Sequence, residues 1–211
     1  MTDHILKNHR INALILAAGS GKRFGGAKVF AKVGNQYFCQ KIHQVLSSLN
    51  IPATWIINSE EHISKLSKLL KTDQISCCLN PVENGDMFSS IRYGAACHQF
   101  HSQTKAHLEY FPDYFLIWPV DFPLVSTKTI KALLQSHALA DLIQPGFNNK
   151  NGHPFLISRR KVTQTLTFNP ENGMREFFSY SPPLRLTIEV SDPNIHSNIN
   201  HKKDLPLSFP S

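Results

Sequence analysis

Short apolar segments alternate with amphipathic helical segments along this chain, and that order constrains the fold more than any other feature of the sequence. Residues 12–16 and 114–118 are short apolar runs, as expected for strands that are buried on both faces. Between them, apolar residues recur at helical spacing, as in Ile63, Leu66 and Leu70. Strands that alternate with helices favour an α/β protein with a largely parallel sheet.

The length of 211 residues predicts one domain over residues 1–211, with flexible tails at 1–10 and 206–211. No apolar run approaches the roughly 18 residues that a membrane span requires. The polar N-terminus lacks the apolar region of a signal peptide. We therefore expect a cytoplasmic protein that has no membrane partner.

The cysteines and the net charge of +7 exclude few classes of function. The four cysteines contain no C-x-x-C pair and are predicted to be reduced thiols that act mostly as small core residues: Cys39, Cys77, Cys78 and Cys97. The densest basic clusters, residues 159–161 and 201–203, are predicted to be solvated edges. A basic excess favours an anionic partner, but no aromatic-interleaved basic motif for RNA is present, so nucleic acid is not predicted as a partner.

Four unusual segments follow predicted strands, where open α/β sheets bind their ligands. The first, residues 16–28, combines glycines with three cations; glycines let backbone N–H groups approach phosphates, and cations neutralise them. It matches neither a P-loop nor a dinucleotide-binding fingerprint. The second, residues 80–90, runs into a Ser-rich helix start that can bind an anion or a sugar hydroxyl, although simple capping by Ser89 also explains it.

The third and fourth segments supply oxygen donors. Asp121 stands between two prolines at the end of the most apolar strand, and a carboxylate that faces a phosphate site would bind Mg²⁺. A turn or cap role for Asp121 is the structural alternative. In residues 198–205, Asn198 and Asn200 would share one face of an extended segment, and their amide oxygens can complete a Mg²⁺ shell; a polar C-terminal loop is the alternative.

In this order, the segments resemble the MobA-like NTP transferases, which make nucleotide-activated molybdenum cofactors, and above all the molybdenum cofactor cytidylyltransferases. Residues 16–28 resemble the L-A-A-G-x-G-x-R-[FM]-G-x-x-K signature of the family, and residues 120–123 resemble its [LV]-D-x-P metal strand. Residues 152–156, 173–175 and 198–205 are similar to three further motifs, so the resemblance covers nearly the whole chain. It implies a three-layer α/β/α Rossmann-like nucleotidyltransferase fold with a mostly parallel central sheet.

The resemblance also implies roles for individual residues. Arg23 and Lys28 would balance charge on the α-phosphate and on the pyrophosphate leaving group. Asp121 would hold Mg²⁺, with Asn200 as the better second ligand and Asn198 as the lesser one. The residues expected to bind the nucleotide are Leu16, Ala17, Ala18, Gly19, Gly21, Asn58, Asn80 and Ser90.

The acceptor side of the site is assigned to His153 and Arg175, with a satisfied structural histidine and a helix cap as the alternatives. An acceptor phosphate oxygen would attack the α-phosphorus in line, so no protein nucleophile is needed. Ala17 and Ala18 resemble the cytidylyl branch more than the guanylyl branch. The expected partners are therefore an NTP, CTP ahead of GTP, a phosphorylated acceptor of molybdopterin type, and transiently a molybdoenzyme or its chaperone.

Two other functions stay open. A methylerythritol-phosphate cytidylyltransferase would carry a similar glycine loop, although residues 152–154 fit that type poorly. A non-catalytic nucleotide-binding or chaperone protein on the same fold is the second alternative, because a fold alone does not guarantee chemistry. Asn198 and Asn200 stand where many cytidylyl members carry aspartates, which motivates this second alternative.

Overall fold

Strands and helices alternate along the computed structural model, which describes residues 10–19, 21, 24–72, 75–82, 85–103 and 111–205, without the side chains of residues 100–103. The strands are β1 (Ile11–Leu16), β2 (Lys32–Val33), β3 (Gln36–Tyr37), β4 (Ala53–Ile57), β5 (Ser76–Leu79), β6 (Tyr114–Pro119), β7 (Leu142–Phe147), β8 (Lys150–Asn151), β9 (Phe155–Ser158) and β10 (Arg185–Glu189). The α-helices are α1 (Phe38–Ser48), α2 (Glu60–Leu70), α3 (Met87–Gln103), α4 (Thr127–Gln135), α5 (Arg159–Gln164) and α6 (Gly173–Tyr180). None of these described helices is both long enough and apolar enough to cross a membrane.

The main sheet is organised around β1. Within the described residues its strands run in the order β10-β7-β9-β6-β1-β4-β5, and β8 pairs with β7. Strands β6, β1, β4 and β5 are parallel to one another, β10 is parallel to β7, and β9 is antiparallel to both of its neighbours. Because β4 lies on one side of β1 and β6 on the other, the strand order reverses around β1, and α/β sheets form ligand crevices at such a reversal.

Helices cover both faces of this sheet because successive strand residues point to opposite sides. Ala13 and Ile15 pack in a core cluster that includes residues of α1, α2 and α4. Leu14, between them in sequence, packs in a second cluster with residues of α3 and α5. Every residue of β6 is buried, as its apolar run predicted. The predicted class, a three-layer α/β fold with a mostly parallel central sheet, is confirmed.

The basic residues 159–161 begin α5 and make internal contacts. Arg160 forms an ion pair with Asp141. Lys161 is only 2% exposed, and its Nζ donates to the Ser181 carbonyl at 2.9 Å. The prediction of a solvated edge is therefore wrong for Lys161, because the end of α6 lies close enough to accept hydrogen bonds from its ammonium.

The cysteines divide into a bonded pair and two free thiols. Cys78 of β5 and Cys97 of α3 form a disulfide, so the prediction of four reduced thiols is wrong for these two. They are 19 residues apart in sequence, and only the packing of α3 on the sheet brings them together. Cys39 and Cys77 are free, and burial raises the pKa of Cys39 to about 12 and that of Cys77 to about 11. Both therefore stay protonated and unreactive at neutral pH.

Candidate active site

The carboxyl ends of β1 and β6 lie side by side at one edge of the sheet. Leu16 pairs with Pro119 in the parallel register, and the Val120 N–H donates to the Leu16 carbonyl at 3.1 Å. The glycine-rich segment after β1 therefore begins next to Asp121. Strands β4 and β5, which are parallel to β1, end at the same edge.

A cleft of about 520 Å³ opens at this edge, and all four segments that the sequence singled out contribute to its wall. Its lining residues are Leu16, Ala18, Gly19, Gly21, Lys28, Gly85, Asp86, Met87, Ser90, Pro119, Val120, Asp121 and Asn200. Residues far apart in the chain meet here because the strands that precede them are neighbours in the sheet.

Lys28 lies between the two side chains that were expected to bind metal. Its Nζ donates to Asn200 Oδ1 at 2.6 Å and to Asp121 Oδ2 at 3.2 Å. The Lys28 and Asp121 side chains are 17% and 19% exposed, so the ion pair is largely shielded from solvent. Lys28 extends from a short 3-10 turn, Lys28–Phe30, in which Val29 is fully buried. An ammonium, a carboxylate and an amide oxygen are thus held together at one point of the cleft.

The segment that carries Asn200 is held against the end of β6. The Ile199 N–H donates to the Asp121 carbonyl at 2.9 Å, and the Ile199 side chain is buried. The Asn198 N–H donates to the His196 carbonyl at 2.9 Å, so the chain turns before it reaches Asn200. Asn198 is exposed and does not line the cleft, whereas Asn200 does; the expected extended face with both amides is not formed.

Gly21 closes the turn of the glycine-rich segment. Its carbonyl accepts from the N–H groups of Phe24, Gly25 and Gly26 at 2.8, 3.0 and 3.2 Å. The φ angle of Gly21 is +60°, and a Cβ atom there would lie 1.8 Å from the Gly26 carbonyl oxygen. No other residue fits this turn without moving the backbone. Arg23, predicted to balance phosphate charge, lies outside the described residues.

Residues 85–90 supply one wall of the cleft, here called the second wall, and Asn80 supports this wall from its buried side. Its Nδ2 donates to Ser89 Oγ at 3.3 Å and to Ser90 Oγ at 3.2 Å, and its Oδ1 accepts from the Val82 N–H at 3.1 Å. Asn80 is fully buried and does not line the cleft, whereas Ser90 does. The arrangement indicates that Asn80 positions the start of α3 and with it the Ser90 hydroxyl.

Asp86 lines the cleft beside Gly85 and Met87, and none of the three was among the predicted site residues. Asp86 Oδ1 accepts from the Ser89 N–H at 2.8 Å, which caps the start of α3. A Cβ atom at Gly173, where φ is +60°, would lie 2.2 Å from Asp86 Oδ2, so α6 begins directly against this carboxylate. Asp86 directly precedes Met87, the first residue of α3, and an aspartate at that position is a helix-capping signal that points to Asp86 from the sequence.

His153 is placed near Asp121 but in the protein wall, outside the cleft lining. Its ring lies 4.8 Å from that of Phe122 and 5.5 Å from that of Phe155, centroid to centroid. Burial lowers the pKa of His153 below its ordinary value of 6.5, and the Asp121 carboxylate partly opposes this. The imidazole is therefore neutral at physiological pH. Its Nδ1 is buried and has no hydrogen-bond partner among the described residues.

Three other predicted site residues also lie outside the cleft lining. Asn58 follows β4 at the expected edge but is exposed. Ala17 is 4% exposed, and its N–H donates to the Ile56 carbonyl at 2.8 Å, so its backbone extends the sheet. Arg175 is exposed on α6.

The donor set in the cleft suits a hard divalent cation that is shared with a bound phosphate. Magnesium is bound in proteins by one or two carboxylate groups together with substrate phosphates and water, and amide oxygens are ligands of the same kind. Asp121 Oδ2 and Asn200 Oδ1 already converge on one cationic group, the Lys28 ammonium. No cluster of three His, Cys, Asp or Glu side chains suited to a metal occurs in the described part of the chain. The residues thus fit a metal that needs ligands from a substrate.

The fold and the cleft together define a protein of the α/β nucleotidyltransferase class. The sheet reverses its order at β1, a glycine turn follows that strand, and oxygen donors and a lysine face the turn. The chain belongs to the MobA-like NTP transferase domain family, whose model matches residues 13–186. The resemblance that was stated from the motifs is confirmed at the level of the family.

Three individual proteins illustrate the range of similar chains. A probable molybdenum cofactor guanylyltransferase of Methanocaldococcus jannaschii is 26% identical over 215 residues, with 92% of this chain and 96% of the relative covered. A Mycobacterium tuberculosis protein in complex with manganese has a TM-score of 0.66 at 16% identity, with 92% and 95% of the chains covered. The 4-diphosphocytidyl-2C-methyl-D-erythritol synthase of Anaerococcus prevotii has a TM-score of 0.66 at 12% identity, with 93% and 95% covered. The two structures show that the fold is shared.

Proposed function

We propose that this chain transfers a nucleoside monophosphate from an NTP to a phosphorylated acceptor of molybdopterin type and releases pyrophosphate. The observation that carries the proposal is the convergence of Lys28, Asp121 and Asn200 at one point of a cleft that is bordered by the glycine turn. Membership of the MobA-like family supports the reaction type. The name of the M. jannaschii relative supports the class of acceptor.

The proposed reaction needs no nucleophile from the protein. A phosphate oxygen of the acceptor attacks the α-phosphorus of the NTP, the bond from the α-phosphorus to the bridging oxygen breaks, and pyrophosphate leaves with that electron pair. The cleft contributes position and electrostatics, because the reacting phosphates are already anionic. A divalent cation bound there, proposed to be Mg²⁺, would offset the negative charge of the triphosphate.

The residues of the chain divide this work among them. We assign triphosphate binding to the backbone of Gly19 and Gly21, both of which line the cleft. Lys28 and Arg23 are proposed to balance charge on the α-phosphate and on the pyrophosphate. Asp121 is proposed as the metal ligand, with Asn200 second, since both oxygens point at one cation-binding position.

The acceptor is proposed to approach from the side of Asp121 where His153 lies. A neutral, buried imidazole is suited to shaping this wall or to donating one hydrogen bond. The acceptor-binding role of Arg175 is proposed from the resemblance alone, because its exposed position on α6 adds no geometric support.

The nucleobase is the part of the proposal with two candidates. Ala17 and Ala18 favour CTP through the resemblance, and Ala18 lines the cleft. The relative from M. jannaschii is named for guanylyl transfer, which favours GTP. Parallel reactions with CTP and GTP, each at the same concentration of acceptor, identify the base by the larger kcat/KM.

The proposal is tested by pyrophosphate release from purified protein with Mg²⁺, each NTP in turn and a molybdopterin-type acceptor. We expect Asp121→Asn to lower the rate by about 100-fold or more, because it removes the charge that holds the cation at the phosphates. Asp113→Asn is the matched control, since Asp113 precedes β6 at the opposite end of the same strand. Equal rates for Asp121→Asn and the wild type would show that the metal assignment is wrong.

A panel of acceptors separates this function from its alternatives. Release with methylerythritol phosphate and not with a molybdopterin-type acceptor would favour the second type of cytidylyltransferase, whose fold is shared. Nucleotide binding by calorimetry, without turnover on either acceptor, would favour the non-catalytic nucleotide-binding alternative.

A further inference from the structure

The Lys28 ammonium occupies the position that the proposed function assigns to a divalent cation. Its Nζ donates to both of the proposed ligand atoms, to Asn200 Oδ1 at 2.6 Å and to Asp121 Oδ2 at 3.2 Å. A Mg²⁺ ion would need the same two oxygen atoms at about 2.1 Å. Two cations cannot share this pair of oxygens, because the ammonium and the metal would lie within a few ångströms of each other and repel.

We propose that Lys28 competes with the divalent cation in the nucleotide-free protein, so that the metal binds together with the nucleotide and not ahead of it. The inference rests on the proposed function, because it takes Asp121 and Asn200 as the ligands. Lys28 neutralises the Asp121 carboxylate while the cleft is empty of substrate. A triphosphate offers the ammonium a new anionic partner, and the two oxygens are then released to the metal.

The local structure permits this exchange. The backbone of Lys28 is fixed by its 3-10 turn, in which the Ala31 N–H donates to the Lys28 carbonyl at 2.9 Å and Val29 is fully buried. The side chain beyond it is flexible, partly exposed and borders a cleft of about 520 Å³. The ammonium can therefore turn toward phosphates on the glycine turn without any movement of the backbone.

Competition of this kind couples the two ligands. If a nucleotide draws Lys28 away from Asp121, it raises the affinity for metal, and by linkage the metal raises the affinity for the nucleotide by the same factor. In a protein without the ammonium, the part of the coupling that comes from this competition is lost, since the metal no longer has to displace a cation, and only the part that comes from phosphate ligands to the metal remains. Metal affinity without nucleotide and its change on nucleotide addition are therefore the quantities to measure.

The test measures Mn²⁺ binding by electron paramagnetic resonance, with and without a non-hydrolysable α,β-methylene NTP. We expect Lys28→Met, which keeps an unbranched side chain only one atom shorter and removes its charge, to bind Mn²⁺ about tenfold or more tightly than the wild type in the absence of nucleotide. The nucleotide should then raise the Mn²⁺ affinity of this variant less than that of the wild type.

Lys32→Met is the matched control, because Lys32 carries the same charge nearby but its ammonium lies over the Tyr37 ring, 4.8 Å from the centroid. It should bind Mn²⁺ as the wild type does. In the double variant of Lys28→Met with Asp121→Asn the gain should disappear, which ties it to the proposed ligands. An unchanged or weaker Mn²⁺ affinity of Lys28→Met, or no Mn²⁺ binding by any variant, would overturn the inference. Pyrophosphate release by the wild type tests the proposed function separately and can succeed while Lys28 proves not to compete.

Discussion

Single residues decide the chemistry of this cleft through charge and through backbone conformation. Lys28 and Asp121 form a shielded ion pair, and Asn200 completes it with an amide oxygen. Gly21 acts differently, since its positive φ and its closeness to the Gly26 carbonyl allow no side chain. At Gly19, two residues earlier, no atom of the described residues other than its chain neighbours lies within 4 Å of the position that a Cβ would take. Gly21 is therefore needed for the shape of the turn, whereas Gly19 leaves space beside the turn for a ligand.

We predict that Gly21→Ala lowers both the stability of the free protein and its affinity for nucleotide. The added methyl group cannot fit beside the Gly26 carbonyl, and a positive φ is unfavourable for alanine. The expected loss in the free energy of unfolding is about 1–3 kcal/mol. Urea unfolding of the nucleotide-free protein measures this loss, and calorimetric titration with CTP and GTP measures the affinity.

Gly19→Ala is the matched control for that prediction. Among the described residues its methyl group meets no atom beyond its chain neighbours, so the free energy of unfolding should change by less than about 0.5 kcal/mol. Because Gly19 lines the cleft, the same methyl group should still weaken nucleotide binding. Equal stabilities for the two variants would contradict the assigned role of Gly21.

Hydrogen bonds between elements hold the segment that carries Asn200 in place relative to the sheet. Asp192 is 7% exposed, and its Oδ2 accepts from the Ser126 N–H at 2.8 Å and from the Thr129 hydroxyl at 2.7 Å. Its Oδ1 accepts from the Asn194 N–H at 3.1 Å. One carboxylate thus joins the start of α4 to the segment that leads to Asn200. Burial raises the pKa of Asp192, but these hydrogen bonds outweigh burial and leave the pKa below its ordinary value of 3.8.

We predict that Asp192→Asn lowers the free energy of unfolding by about 2 kcal/mol at pH 7, because an amide places N–H groups against N–H and O–H donors. Since the pKa of Asp192 is lower in the folded protein, its contribution is complete above the ordinary value of 3.8 and is lost as the pH falls through the lower, folded value. The difference between wild type and variant should therefore shrink below about pH 4.

Chemical unfolding at a series of pH values between neutral and acid measures this difference. Glu189→Gln, an exposed carboxylate on the edge strand β10, is the control and should leave the stability near that of the wild type. A difference between wild type and Asp192→Asn that stays constant down to low pH would contradict the assigned role of the carboxylate.

At the scale of the whole molecule, the sheet collects residues from distant parts of the chain, and the disulfide fastens one helix to it. Cys78 lies on β5, the edge strand that precedes the second wall of the cleft, and Cys97 lies on α3, which carries Ser90. The bond closes a loop of 19 residues, and a loop of that size corresponds to about 3 kcal/mol of stabilisation in the chain-entropy model.

We predict that protein purified without reductant and then denatured shows two reactive thiols, those of Cys39 and Cys77, in a thiol titration. Reduction should raise the number to four and lower the midpoint of thermal unfolding. Cys97→Ala is the control for the second measurement, because a protein that lacks the bond cannot respond to reductant. Four reactive thiols before reduction would contradict the pairing.

Much of the fold could be predicted from local patterns. The apolar run that became β6 and the helical spacing of Ile63, Leu66 and Leu70 both depend on residues close together in the sequence. The small antiparallel pair β2–β3 and the antiparallel direction of β9 were not predicted, because the pairing and direction of a strand depend on which strand becomes its neighbour. The disulfide was not predicted either, because Cys78 and Cys97 meet only through the packing of α3 on the sheet.

The sequence by itself determined the class of fold, the family and the segments that line the cleft, because periodicity, glycine turns and motifs are local properties of a chain. The tertiary structure alone decided that Lys28 stands between Asp121 and Asn200, that Asn80 supports Ser90 from behind, and that Asn198 lies outside the cleft. These facts depend on distances between residues that are remote in sequence. Such distances are set by strand order and packing, on which local patterns carry little information.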